Sequence, residues 1–291
     1  MSTPSAAMSA PTLFVDRFTV LDFARFAPGG FAGESVYVHA EVDGALDEKG
    51  FLVDFGPVKK ALKRVVDRVL DHRFAIPADY PVERAPGLVH IRIPNILDYR
   101  APTEAFAFIP GGVDDARLCD FLAQEAMRAM PANVAAVRFR LEHEPELERQ
   151  PSYRYTHGLK LHDGNCQRLI HGHRNIVEVF VDGSKSERGE RELVGILADV
   201  HFAHADDLDV PMPVGVRGSE GLVRIAFDGS QGRFWAEMPA TRVLPLNCEP
   251  TVENIATFAR QWVSSSLNLN IERVAVRAYE GLHKGAQAGR R

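Results

Sequence analysis

The segment NCQRLIHGH, residues 165–173, ends in two histidines separated by a single glycine. On an extended strand, residues two positions apart point to the same face, so His171 and His173 are expected to project together. His157 lies fourteen residues before His171 and can reach the same point from the preceding strand of a hairpin. Three neutral imidazoles with one open position form the ligand set of a catalytic zinc site, because structural zinc sites usually have four protein ligands. Cys166 is close enough in sequence to act beside the metal as a nucleophile or base.

The length and composition indicate a soluble globular protein. A chain of 291 residues is long enough for two domains of ordinary size. Hydrophobic residues make up 45% and charged residues 25%, which is typical of globular domains. The 39 acidic and 34 basic residues are interspersed, so we expect no nucleic-acid surface. Because no apolar run approaches the roughly 20 residues of a membrane helix, we expect no membrane partner.

The cysteines and the chain start bear on the compartment. Three cysteines are an odd number and suggest no disulfide framework, which favours a reducing cytoplasm. Residues 1–11 are rich in Ser, Ala and Pro and lack the basic and apolar regions of a signal peptide. We therefore expect a disordered tail there.

The sequence contains a similar order of predicted strands and helices twice. Alternating strands at residues 35–44 and 175–183 each end at a turn, and each half closes with a helix followed by a strand. The closing strands end at Glu142 and Glu280, which we expect to correspond. This pattern predicts an α+β fold with antiparallel sheets. The expected domains are residues 12–142 and 153–284, joined by a polar linker at 143–152 and followed by a tail at 285–291.

One helix breaks the repeat. Residues 57–70 show strong helical spacing of apolar residues in the first half, and Pro57 suits a first turn. The second half shows no clear counterpart. Its residues 221–229 instead resemble an inserted or extended hairpin.

Four segments resemble motifs of the 6-pyruvoyl-tetrahydropterin synthase and 6-carboxytetrahydropterin synthase family. They are GFLVDFGPVKK continuing to LDH (residues 50–72), YTH through NCQRLIHGH (155–173), PTVEN (250–254) and AYEG (278–281). All four occur in family order but are divided between the two halves. The resemblance implies two tandem T-fold domains, in which sheets close into a barrel with helices outside, and a homo-oligomer.

The division of the motifs predicts specialised halves. In the first half, residues 31–35 stand at the place of the HGH motif and residues 22–25 at that of the first histidine, and neither contains an imidazole. The second half lacks the Asp-His pair, with residues 239–244 near the expected place. Because the family assembles its active sites between neighbouring domains, we expect the first half to supply Asp71 and His72 to the metal-bearing second half.

The resemblance also implies a chemistry. Zn²⁺ on His157, His171 and His173 would act on 7,8-dihydroneopterin triphosphate, a small pterin substrate from which a proton and triphosphate are removed. Cys166 would be the base, because a nearby cation favours a thiolate. His72, oriented by Asp71, would move the second proton.

The pterin ring would be held by two residues of the second half. Glu280 would accept hydrogen bonds from the ring, because a carboxylate suits a planar pair of N–H donors. Thr251 would add contacts at a helix start.

Several alternatives stay open at this point. The product is either 6-pyruvoyl- or 6-carboxytetrahydropterin, and the short spacing from Cys166 to His171 favours the carboxy product of the 7-deazaguanine and queuosine route. A catalytically degenerate family member would bind a pterin or purine without turnover. An unrelated metallohydrolase would need a carboxylate base beside the zinc. His201 and His204 resemble a metal pair, but solvated loop histidines are the simpler interpretation.

Overall fold

The structure is a computed structural model that describes residues 11–27 and 29–290. Apart from Pro11, the expected N-terminal tail lies outside the described residues. The elements of the first half are β1 (Leu13–Ala27), β2 (Gly30–Gly44), α1 (Phe55–Val69), β3 (Phe74–Pro77), β4 (Val82–Ala85), β5 (Leu88–Ile93), β6 (Leu97–Pro102), β7 (Phe106–Ile109), α2 (Asp115–Met127) and β8 (Val134–Glu142).

The second half repeats this order after a short helix. Its elements are α3 (Glu146–Arg149), β9 (Ser152–His157), β10 (His171–Val181), β11 (Ser184–Lys185), α4 (Glu187–Leu197), β12 (Val200–His204), β13 (Leu222–Gly229), β14 (Gly232–Pro239), β15 (Val243–Leu246), α5 (Val252–Ser266), β16 (Val274–Tyr279) and β17 (Gly285–Ala288). Helix α3 lies within the expected linker, and β17 lies within the expected C-terminal tail and pairs with β16.

Three sheets carry the α+β fold. The first half forms β7-β3-β1-β2-β8, and the second half forms β15-β12-β9-β10-β16-β17 with β11 beside β10. The third sheet, β13-β14-β6-β5-β4, takes strands from both halves. Most neighbours are antiparallel, but β3 and β12 run parallel to the strands on either side of them.

The second half contains a helix that the sequence did not predict. Helix α4 follows β10 and β11 as α1 follows β2, Ser186 caps its start, and Leu193 and Leu197 are buried. The prediction was wrong because the helix is short and highly charged, so few apolar positions mark its buried face. In α1 the buried positions Val58, Leu62, Val65 and Val66 are all β-branched or leucine and the signal is clear.

The expected insertion is also part of the repeat. Hairpin β13–β14 has a counterpart in β5–β6, and the two hairpins join where Trp235 of β14 pairs with Arg100 of β6. Tyr99 and Phe234 are fully buried beneath this shared sheet, in one cluster with Leu169 and Ile170. The shared sheet therefore fixes the two halves to each other next to the HGH motif.

The central hairpins of the two halves pack against each other. On β1, Leu21 and Phe23 face the core under α1 and α2, so Asp22 between them points to the opposite side. The hairpins come closest at Gly33 and Gly172, where a Cβ on either glycine would overlap backbone atoms of β9 or β10. This approach places the first half directly beside the histidines of the second.

No helix among the described residues is long and apolar enough to span a membrane.

Candidate metal centre and active site

The three predicted ligands meet at one point. His157 on β9 lies opposite His171 on β10 in the hairpin register, and His173 follows two residues later. All three side chains are fully buried, and one ring nitrogen from each lies within 4.8 Å of the others. The Nε2 atoms of His157 and His173 are 3.3 Å apart.

The second ring nitrogen of each histidine has its own neighbour. Nδ1 of His157 donates to the carbonyl of Pro250 at 2.8 Å, and Nδ1 of His171 donates to the carbonyl of Arg168 at 2.7 Å. Nδ1 of His173 lies 3.2 Å from the carboxylate of Asp22, which belongs to the first half. This arrangement leaves Nε2 of each ring for the centre, as in metal sites where outer contacts orient the ligands.

The electrostatics fit a bound cation. Burial, reinforced by the neighbouring imidazoles, lowers the pKa of His157 to about 3 and holds the pKa of His171 well below its usual value. Neutral imidazole is the form that binds metal. Nε2 of His171 is buried without a hydrogen-bond partner among the described residues, a costly state that a metal ion would relieve. The residues present therefore fit a divalent metal ion.

Asp71 and His72 reach this centre from the first half. They follow α1, and His72 adopts a left-handed backbone with a φ of 55°. Asp71 Oδ2 lies 2.6 Å from His72 Nδ1. His72, Cys166 and His171 bring their ligand atoms within 4.8 Å of one another. The two halves thus place a carboxylate–histidine pair against the cysteine and one metal ligand.

The charge of His72 follows from its contacts. Burial alone would lower the pKa of this imidazole, but the hydrogen bonds to Asp71 and Cys166 outweigh burial and raise the pKa to about 10. His72 is therefore protonated at neutral pH, and it can donate a proton to a group in the centre.

The Cys166 loop is held by contacts to both halves. Buried Gln167 donates to the carbonyl of Gly164 and accepts from the backbone of Gln231 in the turn between β13 and β14. Buried Arg168 points to the first half, with Nη1 3.4 Å from the carbonyl of Asp71. These contacts set the position of Cys166 relative to His72.

The two predicted pterin contacts lie nearby. Glu280 follows β16, and its carboxylate is 3.8 Å from Nε2 of His157 and 3.9 Å from Nε2 of His173. The Thr251 hydroxyl caps α5, one residue after Pro250, whose carbonyl holds His157. Glu280 is therefore at the metal centre, closer to the imidazoles than its expected role as a ring anchor required, and Thr251 follows the residue that holds His157.

The register of the strands identifies what replaces the metal in the first half. The backbone N–H of His72 donates to the carbonyl of Asp22, and the backbone N–H of Asp199 donates to the carbonyl of Arg154. Both His72 and Asp199 adopt a left-handed backbone conformation. Asp22 and Arg154 are thus equivalent, and the position three residues further on is Arg25 in β1 and His157 in β9. The hairpin pairs of Arg25 with Ala32 and of His157 with His171 then align Ala32-Gly33-Glu34 with His171-Gly172-His173.

An ion-pair network occupies this metal-free centre. Arg25 lies 3.8 Å from Glu34, and its guanidinium approaches the carbonyl of Val113 before α2, as His157 approaches that of Pro250 before α5. Arg154 of the second half completes the network at 3.1 Å from Glu34.

This alignment corrects three expectations. The counterpart of Asp71-His72 is Ala198-Asp199 and not the segment at 239–244. The pairs of Val38 with Leu141 and of Val177 with Ala278 make His143, and not Glu142, the equivalent of Glu280. His201 is no solvated loop residue, because it is fully buried on β12 and contacts the Thr156 hydroxyl at 2.9 Å.

Sequence reasoning missed Asp22 and Arg168 as parts of the site. Each is a charged residue that is more than nine-tenths buried. For Asp22, a signal was available, because a lone carboxylate between Leu21 and Phe23 in an apolar strand is unusual. Burial alone would raise the pKa of Asp22, but His173, Lys284 and Ser35 together outweigh burial and lower the pKa.

The fold and centre define a tandem α+β protein in which one half holds a candidate metal site and the other completes it. The model of the 6-pyruvoyl tetrahydropterin synthase family matches residues 33–142 and again residues 146–290. The chain therefore belongs to this family as a tandem duplication. Membership supports a pterin synthase-like, lyase-type function and, with the histidine cluster, metal binding.

Solved structures similar to this chain each cover about one half of it. The 6-pyruvoyltetrahydropterin synthase of Plasmodium vivax is 17% identical, with a TM-score of 0.39, over 46% of this chain and 92% of that one. The 6-pyruvoyl tetrahydropterin synthase of Plasmodium falciparum is 18% identical, with the same TM-score of 0.39, over 47% and 94%. No curated protein matches the sequence.

Proposed function

We propose that this chain is a zinc-dependent pterin synthase that acts on 7,8-dihydroneopterin triphosphate to give 6-carboxy- or 6-pyruvoyl-tetrahydropterin. The observation that carries the proposal is the meeting of His72 from the first half with Cys166 and His171 from the second, all within 4.8 Å. A purely structural metal site would have no use for an adjoining thiol and a charged imidazole.

The ligands and the metal have separate tasks in this proposal. His157, His171 and His173 would hold the zinc ion, with the fourth position open to substrate. When bound, zinc would polarise the side-chain hydroxyls of the substrate and stabilise the negative charge that develops there.

The proposal has two proton carriers. Cys166 would remove a proton from the substrate side chain as the base. His72, protonated at neutral pH because of Asp71 and Cys166, would return a proton to the substrate. Arg168 would keep this pair aligned by holding the carbonyls of Asp71 and His72.

Glu280 and Thr251 would bind the pterin. The Glu280 side chain is about one quarter exposed and lies against the histidines, so it borders both the centre and the solvent. Its carboxylate can accept two N–H bonds from the ring. Thr251, whose hydroxyl caps α5, would add a contact at the helix start.

The remaining assignments follow from the same reasoning. We infer domains at residues 12–142 and 153–284, joined by residues 143–152. We infer a cytoplasmic location from the odd number of cysteines. We infer a homo-oligomer because closed sheets remove exposed strand edges. Between the two products, the short spacing from Cys166 to His171 favours the carboxy product.

A direct test combines metal analysis with turnover. Purified protein is expected to contain one zinc per chain, to release triphosphate from 7,8-dihydroneopterin triphosphate, and to stop when the metal is removed by a chelator. Mass spectrometry of the pterin then assigns the product. Binding of substrate by zinc-loaded protein without triphosphate release would instead support the degenerate binding protein, and absence of both would refute the proposal.

A further inference from the structure

Asp22 is a buried charge of the metal-free half that faces the metal centre of the other half. It is 2% exposed and lies on β1 between two residues of the helix-side core. Placing a carboxylate in such a position costs several kcal/mol unless it is paired and hydrogen-bonded. An apolar residue would serve packing alone better, so the carboxylate calls for a functional explanation.

The contacts of the Asp22 carboxylate all come from donors around the centre. Oδ1 accepts from the hydroxyl of Ser35 at 2.5 Å and lies 3.2 Å from Nδ1 of His173, a buried atom that has no aligned hydrogen-bond partner among the described residues. Oδ2 lies 3.2 Å from the ammonium of Lys284. Gly281 packs against the same carboxylate, and a Cβ there would come within 2.6 Å of both oxygens. The carboxylate is thus fixed from three sides, with His173 as the neighbour that faces the metal.

The backbone of Asp22 contacts the other catalytic element. Its N–H donates to Asp71 Oδ1 at 3.1 Å, and its carbonyl accepts from the N–H of His72 at 2.7 Å. A shift of Asp22 would therefore move His173 and the Asp71–His72 pair together.

The metal-free centre shows the same cross-half contact with different residues. Arg154, the equivalent of Asp22, reaches Glu34, the equivalent of His173, at 3.1 Å. In each half, then, this strand position contacts the last residue of the other half's motif. The residue there suits its target, with an arginine facing the glutamate and a carboxylate facing the imidazole.

We infer that Asp22 is a positioning residue for the metal centre: it holds His173 with Nδ1–H toward the carboxylate and Nε2 toward the metal. The inference rests on the proposed function in that it takes His157, His171 and His173 as metal ligands. Carboxylates that accept from the free N–H of a ligand histidine orient the ring and strengthen it as a ligand, and their loss typically weakens metal affinity about 10- to 100-fold.

The test measures metal binding and not turnover. Asp22→Asn keeps the shape of the side chain but removes the charge and one acceptor. We expect a zinc affinity about 10- to 100-fold weaker by competition with a chromophoric chelator, and a shifted visible spectrum of the Co²⁺-substituted protein. Glu34→Gln is the matched control, because it also removes a buried charge that bridges the halves but does not touch His173, and it should leave both readouts unchanged.

The outcomes separate this inference from the proposed function. A folded Asp22→Asn protein with wild-type zinc affinity and Co²⁺ spectrum would overturn the role of Asp22 alone. Wild-type protein that binds no zinc, or binds it equally well after His171→Ala, would overturn the proposed function itself. If Asp22→Asn does not fold, Ser35→Ala, which frees the carboxylate to shift, becomes the deciding variant. An unchanged Co²⁺ spectrum and zinc affinity there would equally refute the inference.

Discussion

The two halves of this chain carry the same hairpin with different side chains at its centre. In β9–β10, His157, His171 and His173 form a centre of three buried imidazoles. In β1–β2, the equivalent positions hold Arg25, Ala32 and Glu34, and Arg25 and Glu34 lie 3.8 Å apart as an ion pair. The glycine between the motif residues, Gly33 or Gly172, is present in both. The two hairpins thus share their packing, but one holds the histidine cluster and the other an internal ion pair.

The loops after α1 and α4 show the reverse pattern. The first half has Asp71-His72, which reaches Cys166, whereas the second has Ala198-Asp199 at the equivalent place, with the same left-handed backbone. Each half therefore lacks what the other retains. We expect one complete site per chain, in place of the two that a symmetric duplication would form.

The largest effect on the asymmetry between the two halves is expected from a substitution of Cys166. Cys166→Ala removes the proposed base next to His72, and we expect triphosphate release to fall by about 10³-fold, within the range for loss of an acid–base group. Zinc content should remain at one per chain, because the three histidines are untouched. Cys119→Ala, at a half-buried thiol within α2 of the first half, is the control and should retain activity. Undiminished turnover in Cys166→Ala would remove the chemical reason for the asymmetry.

The second test compares His72 with its equivalent in the other half. His72→Gln removes the charged imidazole, and we expect turnover to fall by about 10²-fold with unchanged zinc content. Asp199→Asn alters the equivalent loop beside the metal-free centre and should leave turnover within about twofold. Equal losses in both variants would mean that the two loops act only through folding.

The sequence predicts the local parts of this site, and the family resemblance predicts the approach of Asp71 and His72, but the other contacts between the halves are missed. The HGH spacing and the helical pattern of α1 depend on neighbours within a few residues, so they are readable without a structure. Asp22, Arg154 and Glu34 matter through contacts across more than a hundred residues, and only Asp22, a lone carboxylate in an apolar strand, has a local signal. The position of Asp199 was missed for a different reason, because α4, which leads to it, has a largely charged sequence.

The packing of the hairpins gives the third test. Gly33→Ala would place a methyl group over the carbonyl of Tyr155 and within 2.5 Å of the His173 backbone nitrogen. We expect the free energy of unfolding to fall by about 1–3 kcal/mol, as for overpacked cores, measured by denaturant titration. Gly195→Ala in α4 has no atom within 4 Å of the new methyl group and should gain about 0.5–1 kcal/mol. A Gly33→Ala protein as stable as the wild type would show that the hairpins are less closely packed.

The smallest effect concerns the ion pairs that replace the metal. Asp115, at the start of α2, accepts from Arg25 at 2.7 Å and lies 2.9 Å from Nε2 of His143, the equivalent of Glu280. The hydrogen bond with His143, together with that from Arg25, lowers the pKa of Asp115 to about 2, although burial alone would raise this pKa. Because the folded pKa is below the usual 3.8, the stabilisation is present above pH 3.8 and is lost as the pH falls through about 2.

Asp115→Asn tests this contribution in metal-free protein, so that zinc release at low pH does not interfere. The carboxylate is 38% exposed, so solvent screening reduces the expected stabilisation to about 1 kcal/mol. We expect the variant to be less stable than the wild type by this amount at pH 6, and the difference to shrink toward pH 2. Asp98→Asn, in the shared sheet away from both centres, controls for loss of a paired carboxylate. The stability difference between Asp115→Asn and the wild type could also stay the same at every pH. That result would mean that Asp115 stabilises α2 as a first-turn residue, and that Arg25, Glu34 and Arg154 alone hold the metal-free centre.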